Sequence, residues 1–386
     1  MDHKKKLTLF EAACVVAGLG FGGSVMAVPY LASLNGIVPV ISIMIIAYLI
    51  SILLHLMVVE VVLRDDSPQQ LIEIFGKYLF IKSWWGNILM WVVFALIVVT
   101  FYALLAGYIF GSGELLVNIL AIPLWTGKTM TYVVAAGVVF FGLKTIGLSE
   151  KYAIISIALV LVALSIGSFG KPFNQIPVFS GSLKTVLALY GMVMFCLSCL
   201  FSVPQAAEGL AWNKRLVSWS VLLGIGINLV FTIVVALMVM FVSHPVTEFA
   251  IIGWGRAVGK WALILGSTFA LLALLTSYWS VSYALAVIFM ERLNWGYRLA
   301  WLVATLPTFL MAISGFAGFL DFMRYAGGAT AVLLAILVPP ALKRCRLKSD
   351  GREPLFSLGF WGGAAFRYIV IGGYLLGAIG SVLPLK

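Results

Sequence analysis

Charged residues are scarce in this sequence. Only 10% of its 386 residues are Asp, Glu, Lys or Arg, and 63% are hydrophobic, whereas soluble domains carry about 25% charged residues. The composition therefore excludes a soluble protein and indicates an all-α integral membrane protein, with the lipid bilayer as its surroundings. The excess of 25 Lys and Arg over 14 Asp and Glu is expected to be loop charge, and no nucleic acid is expected as a partner.

Histidine and cysteine are equally sparse. The three histidines, His3, His55 and His244, are scattered along the chain, so they cannot form a catalytic or metal-binding cluster. The four cysteines provide no disulfide framework, and the pair Cys196 and Cys199 lies inside an apolar segment without a nearby histidine. The sequence therefore predicts no enzyme and no cofactor. A passive channel is also disfavoured, because no span carries a continuous polar stripe.

Long apolar runs fill most of the chain. A membrane-spanning helix needs about 20 apolar residues, and the single domain 1–386 contains eleven such segments. Between the second and third, Arg64–Trp85 is polar and predicts a short amphipathic helix with Leu71, Ile72, Phe75 and Leu79 on its apolar face. The predicted spans are residues 9–34, 37–63, 86–111, 129–147, 152–170, 184–211, 216–242, 261–290, 297–314, 319–342 and 364–384.

The basic residues predict an orientation. With the N-terminus inside, eighteen Lys and Arg lie on the inner side, six lie outside, and Arg324 lies within the tenth span. Because cytoplasmic loops carry the excess of Lys and Arg, we expect a cytoplasmic N-terminus and an outer C-terminus. Short loops and termini favour a prokaryotic cell membrane and leave little surface for an obligate protein partner.

No predicted span carries an ionisable residue at its centre. Glu150, like most acidic residues, is expected at a span end or in a loop, and His55 lies toward the inner half of the second span. Asp321 and Arg324 are three residues apart on one helix face and form either an outer-gate pair or an interfacial ion pair. A proton pump would carry a chain of intramembrane carboxylates or histidines, and none is seen.

The first span contains an unusual glycine cluster between Ala17 and Tyr30. Four of the six residues from Gly18 to Gly23 are glycine, and each destabilises a helix by about 1 kcal/mol relative to Ala. Broken helices are tolerated at membrane depth where they line a cavity, and in transporters that cavity is often the substrate site. The alternative is close helix–helix packing through small residues.

The sixth span repeats this design from Tyr190 to Pro204, with small polar residues at its centre and a proline on its inner half. Paired interrupted spans in two halves of a chain indicate an inverted repeat with a binding site between the halves. The expected repeats cover about residues 9–170 and 184–342, and 364–384 forms an extra helix.

Both segments resemble a known family. The run Gly18-Leu-Gly20-Phe-Gly-Gly-Ser to Pro29-Tyr30 resembles the Gly-rich first helix of the amino acid/auxin permease family, and it is similar to that of the bacterial aromatic amino acid permeases. In the sixth span Phe195, Ser198 and Pro204 match the family pattern, whereas Cys199 and Leu200 stand where the family usually has Gly and His or Phe.

The resemblance implies a leucine-transporter-like fold, with five plus five helices in inverted repeat, the first and sixth unwound, and an eleventh added. An amino acid would place its carboxylate at N–H groups of the first break and its ammonium at freed carbonyls near Gly18–Gly20 and Phe195–Ser198. Tyr102 could also donate to the carboxylate. The expected substrate-binding residues are Gly20, Phe21, Gly22, Gly23, Ser24, Tyr102, Phe195, Ser198, Cys199 and Tyr278.

The eighth span resembles the sodium site of sodium-coupled members of this fold. Ala273, Thr276 and Ser277 would supply a carbonyl and two hydroxyls, and Ala17 and Gly20 would supply carbonyls of the first span. Alternatively, the two hydroxyls bond carbonyls of their own helix. Proton-coupled relatives can place a lysine in the fifth helix, and the predicted fifth span has none.

These features predict a secondary active symporter of a neutral amino acid that works by alternating access and is driven by Na⁺. The first, second, sixth and seventh spans would rock against the others, with bending at Gly36 and near Gly191. A proton-coupled carrier of the same fold and a non-transporting amino acid sensor are the alternatives.

Overall fold

The computed structural model describes residues 6–65, 69–80, 83–243, 246, 250–315, 319–348 and 355–383. These residues form α-helices joined by short connections, with two short 3₁₀ segments and no β-strand. The helices are α1 (Leu9–Phe21), α2 (Ser24–Ser33), α3 (Ile37–Arg64), α4 (Leu71–Tyr78), α5 (Trp84–Leu120), α6 (Leu124–Phe140), α7 (Leu143–Ser168), α8 (Leu183–Cys196), α9 (Val203–Gly209), α10 (Leu216–Val242), α11 (Ala250–Val258), α12 (Lys260–Leu293), α13 (Tyr297–Ser314), α14 (Phe319–Lys348) and α15 (Ala364–Val382).

The predicted multi-span helical architecture is confirmed. By length and hydropathy, nine helices of the described residues can cross a membrane, and α1 with α2 forms a tenth, broken span. The segment predicted as the fourth span corresponds to α6, which has 17 residues and is therefore shorter than the usual span of about 20 residues. The count of eleven and the inverted repeat stay predictions.

The boundary between the predicted fourth and fifth spans is wrong. The chain turns at Gly142, where φ is +87°, a conformation that favours glycine over other residues. The residues 148–151, expected as a polar loop, instead continue α7. Glu150 consequently lies inside a helix and is fully buried, so the expectation that it sits in a loop or at a span end is also wrong.

Helix α1 is the centre of the bundle. It starts with a capping box, in which the Thr8 hydroxyl accepts from the Glu11 N–H and the Glu11 carboxylate accepts from the Thr8 N–H. Every residue from Glu11 to Phe21 is buried, because α7, α10 and α12 pack around it. A helix that is apolar on all faces requires such surroundings, and this position explains why a break in α1 can face protein rather than lipid.

Two further sequence features are accounted for. The predicted amphipathic helix is confirmed as α4, which buries Leu71, Ile72 and Phe75. Gly191 lies where α8 meets α15, and a Cβ there would stand 2.5 Å from the Gly377 carbonyl oxygen, so this glycine permits close packing of the two helices. The side chains of Asp321 and Arg324 and the whole of His244 lie outside the described residues.

Candidate functional site

The first span is interrupted at the predicted glycines. α1 ends at Phe21, α2 begins at Ser24, and the two helices are bent by 55° relative to each other. A Cβ on Gly22 would lie 2.8 Å from both the Ser277 Oγ and the Tyr108 Oη, so the backbone approaches these hydroxyls more closely than any side chain would allow. The break is therefore packed against α5 and α12.

Ser277 of α12 holds the broken end of α1. Its Oγ lies 2.7 Å from the Gly18 carbonyl oxygen and 3.0 Å from that of Leu19, and it accepts a hydrogen bond from the Gly22 N–H at 2.8 Å. One hydroxyl thus contacts three backbone groups that the break releases from regular helical bonding. Ser277 is the one member of the predicted sodium set that bridges the two spans in this way.

The other predicted sodium ligands have different contacts. The Thr276 Oγ1 donates to the Ala273 carbonyl oxygen at 2.9 Å, which is the own-helix bond that the sequence left as an alternative. The Gly20 carbonyl accepts from the Ser24 Oγ at 3.4 Å, and Ala17 is buried within α1. The described residues contain no cluster of His, Cys, Asp and Glu that could hold a metal ion.

The sixth span is interrupted after Cys196. Residues 197–199 are irregular, and a 3₁₀ segment, Leu200–Ser202, leads into α9. The freed Leu197 carbonyl accepts from the Ser51 Oγ of α3 at 2.8 Å, and the Cys199 N–H donates to the His55 Nε2 at 2.9 Å. Neighbouring side chains thereby satisfy the freed backbone groups, as burial away from water requires.

The two breaks meet at Gly20. A Cβ at this position would stand 2.5 Å from the Cys199 Sγ and 2.6 Å from the Cys196 carbonyl oxygen. Asn228 of α10 lies between the breaks, because its Nδ2 donates to that Cys196 carbonyl at 2.7 Å and a Gly20 Cβ would be 2.3 Å away from it. Asn228 is therefore the link between the first, sixth and seventh spans.

A small cavity lies beside this junction. Its volume of about 20 Å³ has room for about one water molecule. The Ser198 Oγ is buried and has no hydrogen-bond partner within the described part of the chain. The cavity is lined by Leu19, Gly20, Ser24, Phe101, Leu104, Tyr108, Phe195, Ser198, Phe201, Val281 and Thr330.

Four of the predicted binding residues, Gly20, Ser24, Phe195 and Ser198, line this cavity. Gly22 and Gly23 form the break itself, and the Cys199 N–H is bound to His55.

The side chains of the remaining three predicted binding residues pack against neighbouring helices. The Tyr102 hydroxyl donates to the Val303 carbonyl at 2.8 Å, and the Tyr278 hydroxyl lies 3.4 Å from that of Thr308. Phe21 packs edge-on against Phe231 and Phe269.

Tyr108 is the residue of the third span whose hydroxyl lies at the first break, and Phe101 and Leu104 of the same helix line the cavity with it. The sequence predicts this span at 86–111 with Tyr102 in the site, and residue 102 is the midpoint of the observed α5, Trp84–Leu120. Tyr102 therefore has the expected depth, but its hydroxyl bonds the Val303 carbonyl of α13, and a different face of α5 meets the break. Asn228 was also missed, although a single amide in the otherwise apolar middle of α10 is a signal of interhelical hydrogen bonding.

Comparisons with known proteins identify the family and the fold. Residues 5–380 match the model of the tryptophan/tyrosine permease family. No curated protein sequence matches the chain.

Three solved structures share the fold. The transporter Mhp1 of the nucleobase-cation-symport-1 family, in a closed conformation with bromovinylhydantoin bound, has a TM-score of 0.66 and 15% identity, covering 98% of this chain and 91% of its own. MhsT in complex with L-phenylalanine has a TM-score of 0.65 and 15% identity, covering 98% and 99%. An H236A variant of the manganese transporter of Eremococcus coleocola has a TM-score of 0.64 and 14% identity, covering 96% and 85%.

These neighbours are transporters of the leucine-transporter fold, and the family match spans nearly the whole chain. The chain belongs to the tryptophan/tyrosine permease family and is a multi-pass membrane transporter, not an enzyme.

Proposed function

We propose that this permease is a secondary active transporter of neutral amino acids, with aromatic amino acids as its main substrates, driven by a cation gradient. The observation that carries the proposal is the junction of two broken helices at Gly20, beside a cavity whose described lining has no charged side chain. A zwitterion can be bound there by backbone groups alone. A lining of this kind disfavours acidic and cationic substrates, which need a compensating charge.

The substrate carboxylate would bind at the start of α2. The N–H groups in the first turn of a helix have no intrahelical acceptor, and the helix dipole is positive at that end. The Gly22 N–H is already bound to Ser277, so the donors for a carboxylate are those of Gly23, Ser24 and Val25. The ammonium would bind carbonyls of the two breaks, near Gly20, and the Ser198 hydroxyl.

Three features support an aromatic substrate. Phe101, Tyr108, Phe195 and Phe201 line the cavity, and aromatic rings prefer edge-on or offset contacts with other rings. The family is named for tryptophan and tyrosine, and the structurally similar MhsT was solved with L-phenylalanine. Because ligand sites usually measure about 300–1,000 Å³, the cavity must open before substrate enters, as alternating access requires.

The same proposal includes the membrane arrangement expected from the sequence. The permease would lie in a cell membrane with its N-terminus in the cytoplasm and its C-terminus outside. The first, second, sixth and seventh spans would rock against the rest of the bundle, and no partner protein would be needed.

Uptake by purified protein in proteoliposomes tests the substrate. We expect Trp, Tyr and Phe to accumulate and to compete with one another, and the other common amino acids to compete weakly. Protein-free liposomes are the control. If the protein produced neither flux nor thermal stabilisation with any of the twenty amino acids, the proposal would be wrong. Stabilisation without flux would instead indicate a sensor.

Sodium and the proton are the two candidate coupling ions. A sodium site would need the predicted oxygens of Ala17, Gly20, Ala273, Thr276 and Ser277 to converge. In this conformation Ser277 lies against other carbonyls of α1, and Thr276 bonds to Ala273. Sodium coupling therefore needs these two spans to rearrange during transport.

Alanine variants of the two hydroxyl residues separate the possibilities. We expect Ser277→Ala to weaken uptake about tenfold under any ion, because each lost hydrogen bond contributes about 1 kcal/mol. Thr276→Ala, whose hydroxyl only bonds its own helix, should alter uptake only if it binds sodium during the cycle. The measurement is initial uptake rate against sodium concentration at fixed pH. An unchanged sodium dependence in both variants would exclude a sodium site here.

A further inference from the structure

Glu150 is a buried acid outside the cavity. It lies in the second turn of α7 and is fully inaccessible to solvent. Its Oε1 accepts a hydrogen bond from the Ser280 Oγ of α12 at 2.8 Å. Its Oε2 is buried and has no hydrogen-bond partner in the part of the chain that the structure describes. In the ionised acid, this oxygen therefore has no donor to stabilise its share of the negative charge.

The carboxyl presses directly against the broken span. A Cβ on Gly18 would lie 1.8 Å from the Glu150 Oε2, so the acid occupies the space that a side chain on α1 would fill. Gly18 and Gly20 are separated by about 200° around the helix axis, at 3.6 residues per turn. One face of α1 therefore contacts the acid while nearly the opposite face contacts the substrate junction.

Glu150 has no cationic partner among the residues that the structure describes. Among the described ion pairs none includes Glu150, whereas nearby Glu11 is paired with Lys144 at 2.6 Å. An isolated charge in a low-dielectric interior is strongly unfavourable unless it is paired. The free energy of this buried region therefore depends strongly on whether the carboxyl is protonated.

The surrounding titratable groups belong to several elements. On α1 these are Glu11 and Cys14, of which Cys14 is close enough to interact electrostatically with both Glu150 and Lys151. α9 contributes Glu208, which is hydrogen-bonded by the Tyr283 hydroxyl of α12 at 3.3 Å.

The remaining elements packed against α7 bring no ionisable group close to Glu150. α10 carries no ionisable side chain. α11 touches α7 at Ser168, about 27 Å along the helix from Glu150 at 1.5 Å per residue. On α6, Lys128 and Tyr132 lie well before the turn into α7.

We propose that Glu150 is the proton-binding residue that couples proton movement to the conformation of α1, which makes the proton the coupling ion. This rests on the proposed transport function. The carboxylate takes one proton from water on one side of the membrane when the bundle opens to that side, and releases it on the other. Only the carboxyl O–H bond forms and breaks, and no other co-reactant is needed.

Ser280 transmits the change to α1. The Ser280 hydroxyl donates its single proton to the Oε1 of ionised Glu150, with 2.8 Å between the two oxygens. The Val15 carbonyl oxygen lies 3.4 Å from the same Ser280 Oγ. When the proton binds Oε1, this O–H can donate to Ser280, and the Ser280 proton turns to Val15. Protonation therefore strengthens a contact between α12 and α1 and removes a buried charge beside Gly18.

Glu150→Gln tests the proposal, because glutamine keeps the size and loses the proton. In proteoliposomes with a pH gradient, we expect aromatic amino acid accumulation to fall about 5- to 150-fold, the range of ordinary coupling energies. Exchange of labelled for unlabelled substrate without a gradient should continue. Glu11→Gln is the matched control, since Glu11 is a buried carboxylate of α1 already paired with Lys144, and it should keep the proton dependence.

An infrared titration tests the site independently of substrate. Purified wild-type protein should show the band of a protonated carboxyl that disappears in Glu150→Gln, and Ser280→Ala, which keeps the acid, should shift that band. Absence of the band at every pH, or a Glu150→Gln variant with full proton-driven accumulation, would overturn the proposal. If Glu150→Gln instead abolished the sodium dependence of uptake, the acid would be a sodium ligand. That result would also overturn the proposal. If the wild type transports nothing, the transport proposal fails while the infrared result still decides the proton site.

Discussion

Replacing Gly22 with leucine is expected to weaken aromatic amino acid binding strongly while the protein remains inserted and folded. A Cβ at this position would already stand 2.8 Å from the Ser277 Oγ and the Tyr108 Oη, and leucine adds three further carbons. Overpacking costs typically 1–3 kcal/mol and occasionally more. We expect the affinity to fall roughly 100-fold, because the break can relax only by moving away from α12.

Gly137→Leu is the matched control for this prediction. Gly137 is also a helical glycine, but a Cβ there meets nothing within 4 Å. Substrate-dependent thermal stabilisation and uptake should therefore be close to wild type in this variant. A folded Gly22→Leu protein with normal affinity would show that the glycine cluster serves only helix packing.

The two helix breaks were predictable from the sequence because they follow from local physics. Four glycines near Gly22 make a continuous helix costly, and buried backbone at that depth must line a cavity or find partners in neighbouring helices. Pro204 marks the second break, since proline occurs at the first turn of a helix and here follows Val203, the first residue of α9. The approximate positions of most membrane spans were equally predictable from hydropathy.

The side chains around the breaks were less predictable, because hydropathy indicates the depth of a residue but not which helix face meets each neighbour. Tyr102 lies at the midpoint of the 37-residue helix α5, yet its hydroxyl bonds Val303 and the Tyr108 hydroxyl lies at the break. Six residues change both depth and helix face, since each residue turns the helix by about 100°. Choosing the helix face that meets the break is therefore the weakest step.

Glu150 illustrates a different limit. A charged residue near a run of polar residues is typical of a loop, and the sequence 148–151 has that appearance. The loop is instead made by Gly142, whose positive φ allows the turn. Whether an acid within a helix is buried depends on the helices that pack against it, here α1 and α12, and that is tertiary information.

Glu60→Gln is expected to have the largest effect on stability and to open the predicted inner side. The Glu60 carboxylate at the end of α3 is fully buried and accepts from Arg64, Arg346 and the Leu358 N–H at 2.7–2.9 Å. Removing one partner of a buried ion pair costs about 3–5 kcal/mol. Because α3 belongs to the proposed moving group and α14 to the fixed group, the pair with Arg346 holds the two groups together.

Melting temperature and thiol reactivity measure this effect. Cys196 and Cys199 are buried at the break, so, with Cys14 and Cys345 replaced by alanine, labelling of these thiols reports opening. We expect Glu60→Gln to speed labelling at least about tenfold, since 1.4 kcal/mol corresponds to a factor of ten.

Lys77→Gln is the matched control for Glu60→Gln. It breaks an ion pair between Lys77 of α4, whose side chain is 50% exposed, and the buried Asp65 at the end of α3, but it keeps the Glu60–Arg346 pair, so thiol labelling should stay close to wild type. Unchanged melting and labelling in Glu60→Gln would show that α3 and α14 do not separate in the transport cycle, and that access to the junction at Gly20 is controlled elsewhere.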